Sequence, residues 1–274
     1  MMSDHQSMAS RYTMGYSEEF RQLLDRRSAE THAAYLLPYL ESGFRVLDFG
    51  CGPGTISVGL ASAVDPGEVY GIDSEESQIA LAQAAADAGG HRNATFQVAD
   101  VADLPFEDDF FDIAHCHAVL MHVPDTQSAL VEVKRVLKSG GIVASREMIG
   151  GSSFLEPGSE SIDAAWTTFS KLLAANSGHP EMGKKLKSVF IEAGFRDVQA
   201  TASFDFFSST EDVVFLRGFI DDWFFSSDVI AAVTKYGLAN HQQIDKWRTD
   251  VDNWSSRSGA VGGLAFGEAI AHKL

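Results

Sequence analysis

The sequence predicts a doubly wound α/β sheet of seven strands, mostly parallel with an antiparallel edge, and three observations predict it. Between residues 44 and 145, short apolar runs of strand character alternate with helix-length segments. A glycine cluster stands where the first strand hands over to a helix. The chain has 274 residues, 45% of them hydrophobic, enough for one well-buried core.

Residues 17–40 read as helical: Ser17 can cap, Glu18 and Glu19 suit the positive helix start, and Phe20, Leu23 and Leu24 share a face. Pro38 marks a break. Residues 44–49 form a buried strand, 55–63 a helix and 68–73 a second strand, which makes a βαβ unit with a right-handed crossover. Serines and acids at 74–77 start an alanine-rich helix that stops at Gly89-Gly90. Strands follow at 95–98 and 111–115, then a helix over 125–138 with Ala129, Leu130, Val133 and Leu137 inward, ending at Gly140-Gly141. Residues 142–145 are the fifth strand.

The second half differs. Residues 184–193 form a helix closed by Gly194, and residues 198–206 and 264–272 alternate as strands, an antiparallel pair expected at the sheet edge. Between them, 210–254 read as two or three helices, with Ile244, Trp247, Val251 and Trp254 on one stripe. Placed over the site, these helices make a lid. It is strongly aromatic: Phe204, Phe206, Phe207, Phe215, Phe219, Trp223, Phe224 and Phe225 read either as plain core packing or as the wall of a flat, apolar site.

The formal net charge of −17 repels phosphate backbones and anionic membranes, which argues against nucleic-acid and lipid-surface substrates. No apolar run is long enough to span a membrane. The first residues lack the charged start and apolar stretch of a signal peptide. Two cysteines, Cys51 and Cys116, make no disulfide framework and no metal spacing, so a cytoplasmic, reducing location and a site without metal are expected.

The chemistry concentrates in Asp48-Phe49-Gly50-Cys51-Gly52-Pro53-Gly54-Thr55. Glycines there let the backbone turn sharply and approach a ligand, and exposed N–H groups at the helix start suit a polar one. The dinucleotide fingerprint places its third glycine three residues after the second; here Gly54 follows Gly52 by only two, and Asp48 stands just before the turn. Asp73 ends the second strand, where a carboxylate accepts hydrogen bonds from both hydroxyls of a ribose and Ser74 follows it. Asp100-Val101 follows the third strand, Phe110-Phe111-Asp112-Ile113 opens the fourth, and residues 119–125 follow that.

These four stretches, in order, resemble class I S-adenosylmethionine (SAM)-dependent methyltransferases, in particular the group that includes the ubiquinone and menaquinone biosynthesis enzymes. The resemblance covers residues 44–148 and implies a Rossmann-like fold. It also implies a SAM cofactor held by Asp48, Gly50, Cys51, Gly52, Asp73, Ser74, Asp100 and Val101, with Asp100 on the adenine amino group. By the same analogy a segment before the first strand folds over SAM, so that Tyr12 or Tyr16 covers it. The organisation that follows is one domain over 1–274: a helical cap at 1–40, a SAM-binding core at 41–150, and a substrate-side half at 151–274 with a helical insertion at 210–256. The expected partner is a small molecule.

Catalysis is expected at the carboxyl end of the fourth strand. His115 and His117 lie there two apart and point the same way if the strand persists. His117 is the candidate for contacting cofactor or substrate, against the reading of a polar loop residue. His122 reads as the start of the next helix, and Glu147 faces either the pocket or solvent. Two rivals share parts of the pattern: a nicotinamide-dependent oxidoreductase, which Asp73 would serve equally, and a SAM-fold protein doing other chemistry such as cyclisation. The acceptor atom (carbon, oxygen or nitrogen) stays open.

Overall fold

The computed structural model describes residue 13 and residues 18–274. Tyr12 and Tyr16 therefore lie outside the described residues.

Alternation at period two builds the sheet. In β1 (Arg45–Phe49) Val46 faces one side and Leu47 the other, and β4 (Phe111–His117) does the same with Ile113 and Ala114. Both faces are therefore covered, as a parallel sheet requires. On one face lie α2 (Ala29–His32), α3 (Thr55–Val64) and α4 (Glu76–Gly89), packing Ala29, Leu60, Val64, Ala82 and Ala86. On the other lie α5 (Thr126–Val136) and α7 (Met182–Glu192), with Leu130, Val133, Leu186 and Phe190.

Strands β2 (Glu68–Asp73) and β3 (Ala94–Val98) flank β1 in parallel, and β5 (Leu137–Met148) runs parallel beside β4. Among the described residues eight strands form the sheet, one more than the seven expected, because Phe154–Glu156 (β6) pairs antiparallel with the start of the last strand. Three residues are too few to show alternation. The last strand, β8 (Val261–His272), lies between β5 and β7 (Arg196–Phe207), antiparallel to both. Of the two late strands only β7 is at the edge.

Other boundaries moved for local reasons. Residues 17–40 are not one helix: α1 covers Glu18–Asp25, α2 is short, and a 3-10 turn spans Leu37–Tyr39 with Pro38 in its first turn. The helix expected over 125–138 ends at Val136, and β5 passes through both glycines, with Gly140 in a left-handed turn at φ 81°.

A third layer covers the carboxyl ends of the strands. It comprises α6 (Glu160–Ala175), α8 (Thr210–Phe219), a π-helical turn at Ile220–Phe224, α9 (Ser227–Lys235) and α10 (His241–Ser255). Side-chain caps start these helices: Ser159 for α6, Ser226 for α9, and capping boxes Ser209/Asp212 and Asn240/Gln243 for α8 and α10. The predicted stripe Ile244, Trp247, Val251, Trp254 is buried as one face of α10. Arg26, just after α1, ties the N-terminal region to this layer through Asp212 (2.7 Å) and stacks 4.2 Å from the Phe215 ring centroid.

Candidate active site

The turn from β1 into α3 needs its glycines. Gly50, Gly52 and Gly54 all have positive φ (71°, 53° and 78°). At Gly50 a Cβ would run into Val119, and at Gly54 it would meet the Ala82 Cβ at 2.8 Å. Beside this loop opens a cavity of about 770 Å³. Its wall brings together Asp48, Gly50, Cys51, Gly52, Asp73, Ser74, Asp100, Val101 and His117, residues drawn from the ends of β1, β2 and β4 and the segment after β3.

Within that wall the residues differ in how committed they are. Asp48 is buried: His115 Nδ1 donates to its Oδ1 (3.0 Å), and the Ser57 hydroxyl donates to Oδ2. Asp73 is half-buried, with Oδ2 accepting from the Gly52 amide and Oδ1 from the Glu75 amide, each at 3.0 Å. Burial raises its carboxyl despite those bonds. Each oxygen keeps a further acceptor site for a ribose hydroxyl. Asp100 is exposed, and its Oδ1 accepts the Ala102 amide (2.9 Å) in a tight local turn. Cys51 is buried beside Asp48 and Asp73, and burial pushes its thiol well above the usual range.

His117 is the last residue of β4, and both ring nitrogens are buried with no hydrogen-bond partner among the described residues. Burial first, then the charges of Arg27 and Arg146 with His32 and His115, pushes its imidazole well below the usual histidine range. It is a neutral group at the cavity wall.

The chain then turns at Ala118, held in the left-handed region at φ 54°, uncommon for a residue with a side chain. Glu147 explains how the following loop is held. It is fully buried, neither facing the cavity wall nor solvent, and accepts the amides of Val119 (3.0 Å), Leu120 (2.9 Å) and Met121 (3.0 Å). Burial raises its carboxyl, against the pull of those three N–H groups.

That loop is a partition. On its far side lies a second cavity of about 520 Å³, and Arg27, Ala118 and His122 line both. His122 is half-buried at this join and precedes α5 rather than beginning it; burial and Arg27 push its pKa down to about 3. The second cavity is walled by Trp166 and Phe169 of α6, Phe219, Trp223 and Phe224 of the lid, and Phe204, Phe206 and Phe207 of β7. Phe219 and Trp223 stack with planes 7° apart, 5.6 Å between centroids. The aromatic lid thus lines a cavity as well as packing a core, although Phe215 is outside the wall.

The polar part of this second wall was not legible in the sequence: His32 of α2 and Asp205 of β7 meet there, Nε2 to Oδ2 at 3.5 Å. Buried Arg146 donates to Asp205 Oδ1 (2.7 Å) and lies 3.4 Å from Glu268. No spacing pattern marks residues so far apart in the chain. Among the described residues no group of three or more His, Cys, Asp and Glu is placed to hold a metal. Nor is any helix there long and apolar enough to cross a membrane.

The methyltransferase domain family matches residues 40–194. A probable methyltransferase of Aspergillus luteorubrus is 36% identical over 194 residues, which is 68% of this chain and 67% of that protein. The demethylmenaquinone methyltransferase of Bacillus pumilus is 31% identical over 173 residues, 58% of this chain and 74% of that one. The fold resembles the YcgJ protein of Bacillus subtilis (TM-score 0.61, 18% identity, 89% of this chain and 99% of that one). It also resembles a Haemonchus contortus phosphoethanolamine N-methyltransferase solved with S-adenosylhomocysteine (TM-score 0.57, 18% identity, 89% of this chain and 52% of that one). With the family match running from before β1 through α7 and holding every residue of the glycine-loop cavity wall except Arg21, Leu24 and Arg27, this chain belongs to the SAM-dependent methyltransferases.

Proposed function

We propose that the protein transfers a methyl group from SAM to a small, planar, apolar acceptor, with the cofactor in the larger cavity and the acceptor in the aromatic one. One observation carries this reading: two cavities of different chemistry share a single wall at Arg27, Ala118 and His122. The residues present fit the cofactor. Gly52 borders open space where a Cβ would meet nothing nearer than 4.0 Å, Asp73 keeps acceptor capacity for ribose, and His117, whose ring nitrogens have no hydrogen-bond partner among the described residues, meets the same space. Asp48, Gly50, Cys51 and Gly52 would hold the methionine part, Asp73 and Ser74 the ribose, and Asp100 and Val101 the adenine.

Bound SAM supplies a methyl group already activated on a sulfonium. What remains for the protein is alignment and exclusion of water. The rigid partition fixes the approach from one side, because Glu147 leaves its three amides no freedom to shift. The aromatic walls of the second cavity orient a flat acceptor. The two buried free thiols suit a reducing, cytoplasmic compartment.

Isothermal titration with SAM, S-adenosylhomocysteine and NADH tests the cofactor. Micromolar binding of the first two is expected. Asp73→Ala should weaken it by roughly 10- to 100-fold, the worth of hydrogen bonds to a charged group. NADH binding in place of SAM would replace this reading with the oxidoreductase. Mass spectrometry of products with and without SAM separates methyl transfer from cyclisation.

A further inference from the structure

We infer that His32 and Asp205, with Thr31 beside the imidazole on the cavity wall, form the base that removes a proton from the acceptor, and that the acceptor is therefore a phenol or enol, ionised at its hydroxyl for the transfer. This rests on the proposed methyl transfer and deepens it.

The argument begins with the tautomer. The Ser28 backbone N–H donates to His32 Nδ1 (3.3 Å), and a backbone amide can only donate. Nδ1 therefore carries the lone pair and Nε2 the proton, which points to Asp205 Oδ2 at 3.5 Å. Thr31 Oγ1 lies 2.6 Å from Nδ1. Thr31 is exposed, and both residues line the aromatic cavity. The ring of His32 meets that of His117 edge-on, 5.3 Å between centroids, and His117 lines the cofactor cavity. A proton acceptor thus stands where the two cavities meet.

The other histidines there do not compete. His117 is held well below the usual range and His122 at about 3, so neither takes a proton near neutral pH. Asp205 is different: burial works against its charge, but the bond to His32 and the charge and bond of Arg146 outweigh that and hold it at about 2. It stays ionised and pairs an imidazolium when one forms. The charged and titratable groups around His32 are Arg27 before α2, His117 on β4, Arg146 on β5, Asp205 on β7 and Glu268 on β8. Among the described residues Asp205 is the one it contacts as an ion-pair partner.

The step balances as follows. The acceptor O–H bond breaks, its proton passes to Thr31 Oγ1, and the Thr31 proton passes to the His32 Nδ1 lone pair, which gives up its longer contact with the Ser28 N–H. The freed electron pair on the acceptor oxygen forms the bond to the methyl carbon, and the electron pair of the broken C–S bond stays on sulfur. The proton then leaves His32 to water. An acceptor that attacks through a neutral amine would not need this base before the transfer, whereas a ring carbon is activated by the same ionisation of its neighbouring hydroxyl.

The test uses the full chain saturated with S-adenosylhomocysteine, and 4-nitrophenol as a coloured probe in weakly acidic buffer, where the free phenol is mainly protonated. The expected result is the phenolate absorbance band on binding. His32→Gln and Thr31→Val should bind S-adenosylhomocysteine as before but lose the band, and Thr31→Ser should restore it. With a methylated phenol identified, His32→Gln should lower kcat by roughly 100-fold or more and flatten its rise with pH. An unchanged band in both variants, or no binding of 4-nitrophenol to the complex, overturns the inference and leaves methyl transfer standing. Failure of S-adenosylhomocysteine to bind the unmutated protein overturns the functional reading itself, and this inference with it.

Discussion

Asp205 shows how one residue ties chemistry to stability. Its folded pKa of about 2 lies below the ordinary carboxylate value of 3.8. A lowered carboxyl pKa contributes stability that is present above the unfolded value and lost as pH falls through the folded one. The contribution is about 2 kcal/mol, because its side chain is only 23% exposed. Urea midpoints measured between pH 5 and pH 2 should fall steeply below pH 4, and Asp205→Asn should flatten that limb. A limb of the same steepness in the variant would assign the acid loss to other carboxylates. The residues of the glycine loop and Asp73 are legible in the sequence because each satisfies a local requirement: positive φ, or the end of a strand. Glu147 and Asp205 are not, since what they do is decided by amides and guanidinium groups brought from elsewhere in the chain.

The loop after β4 owes its shape to a neighbouring strand rather than to its own sequence. Glu147→Ala would leave the amides of Val119, Leu120 and Met121 without their acceptor, at about 1–3 kcal/mol for each buried one. The unfolding midpoint should drop by roughly 5–10 °C, and affinity for both cofactor and acceptor should fall together, because the loop walls both cavities. Calorimetry and titration of the purified variant check both. A variant that loses only stability would show the loop refolds onto the ligands. At this scale the parallel strands announce themselves by apolar runs, and the capped helices by Ser, Asp or Asn starts. Helix α6 carries the same signals, Ser159 followed by Ile162, Ala165, Phe169 and Leu172 at helical intervals, though the sequence reading passes over it. β6 gives none, because three residues paired with a distant strand contain no period.

The whole molecule carries a formal charge of −17, and self-repulsion of that size disfavours the compact state. Exposed pairs such as Lys246–Asp250, 2.8 Å apart, offset little of it. Raising sodium chloride from about 0.01 M to about 1 M shrinks the screening length from about 30 Å to about 3 Å. The unfolding midpoint should therefore rise with salt, and a falling midpoint would mean that the ion pairs outweigh the repulsion.

The position of β8 has a kinetic consequence. It sits between β5 and β7, yet it follows both in the chain, with α8, α9 and α10 emerging before it. During synthesis the flank of β5 therefore stays unpaired while the helices that cover the aromatic cavity are already made. An open edge of that kind is a template for pairing with another nascent chain. The sheet closes late and through contacts of long sequence separation, which makes folding slow. The molecule is thus most exposed to chaperones, and to self-association, in the interval before its final strand arrives.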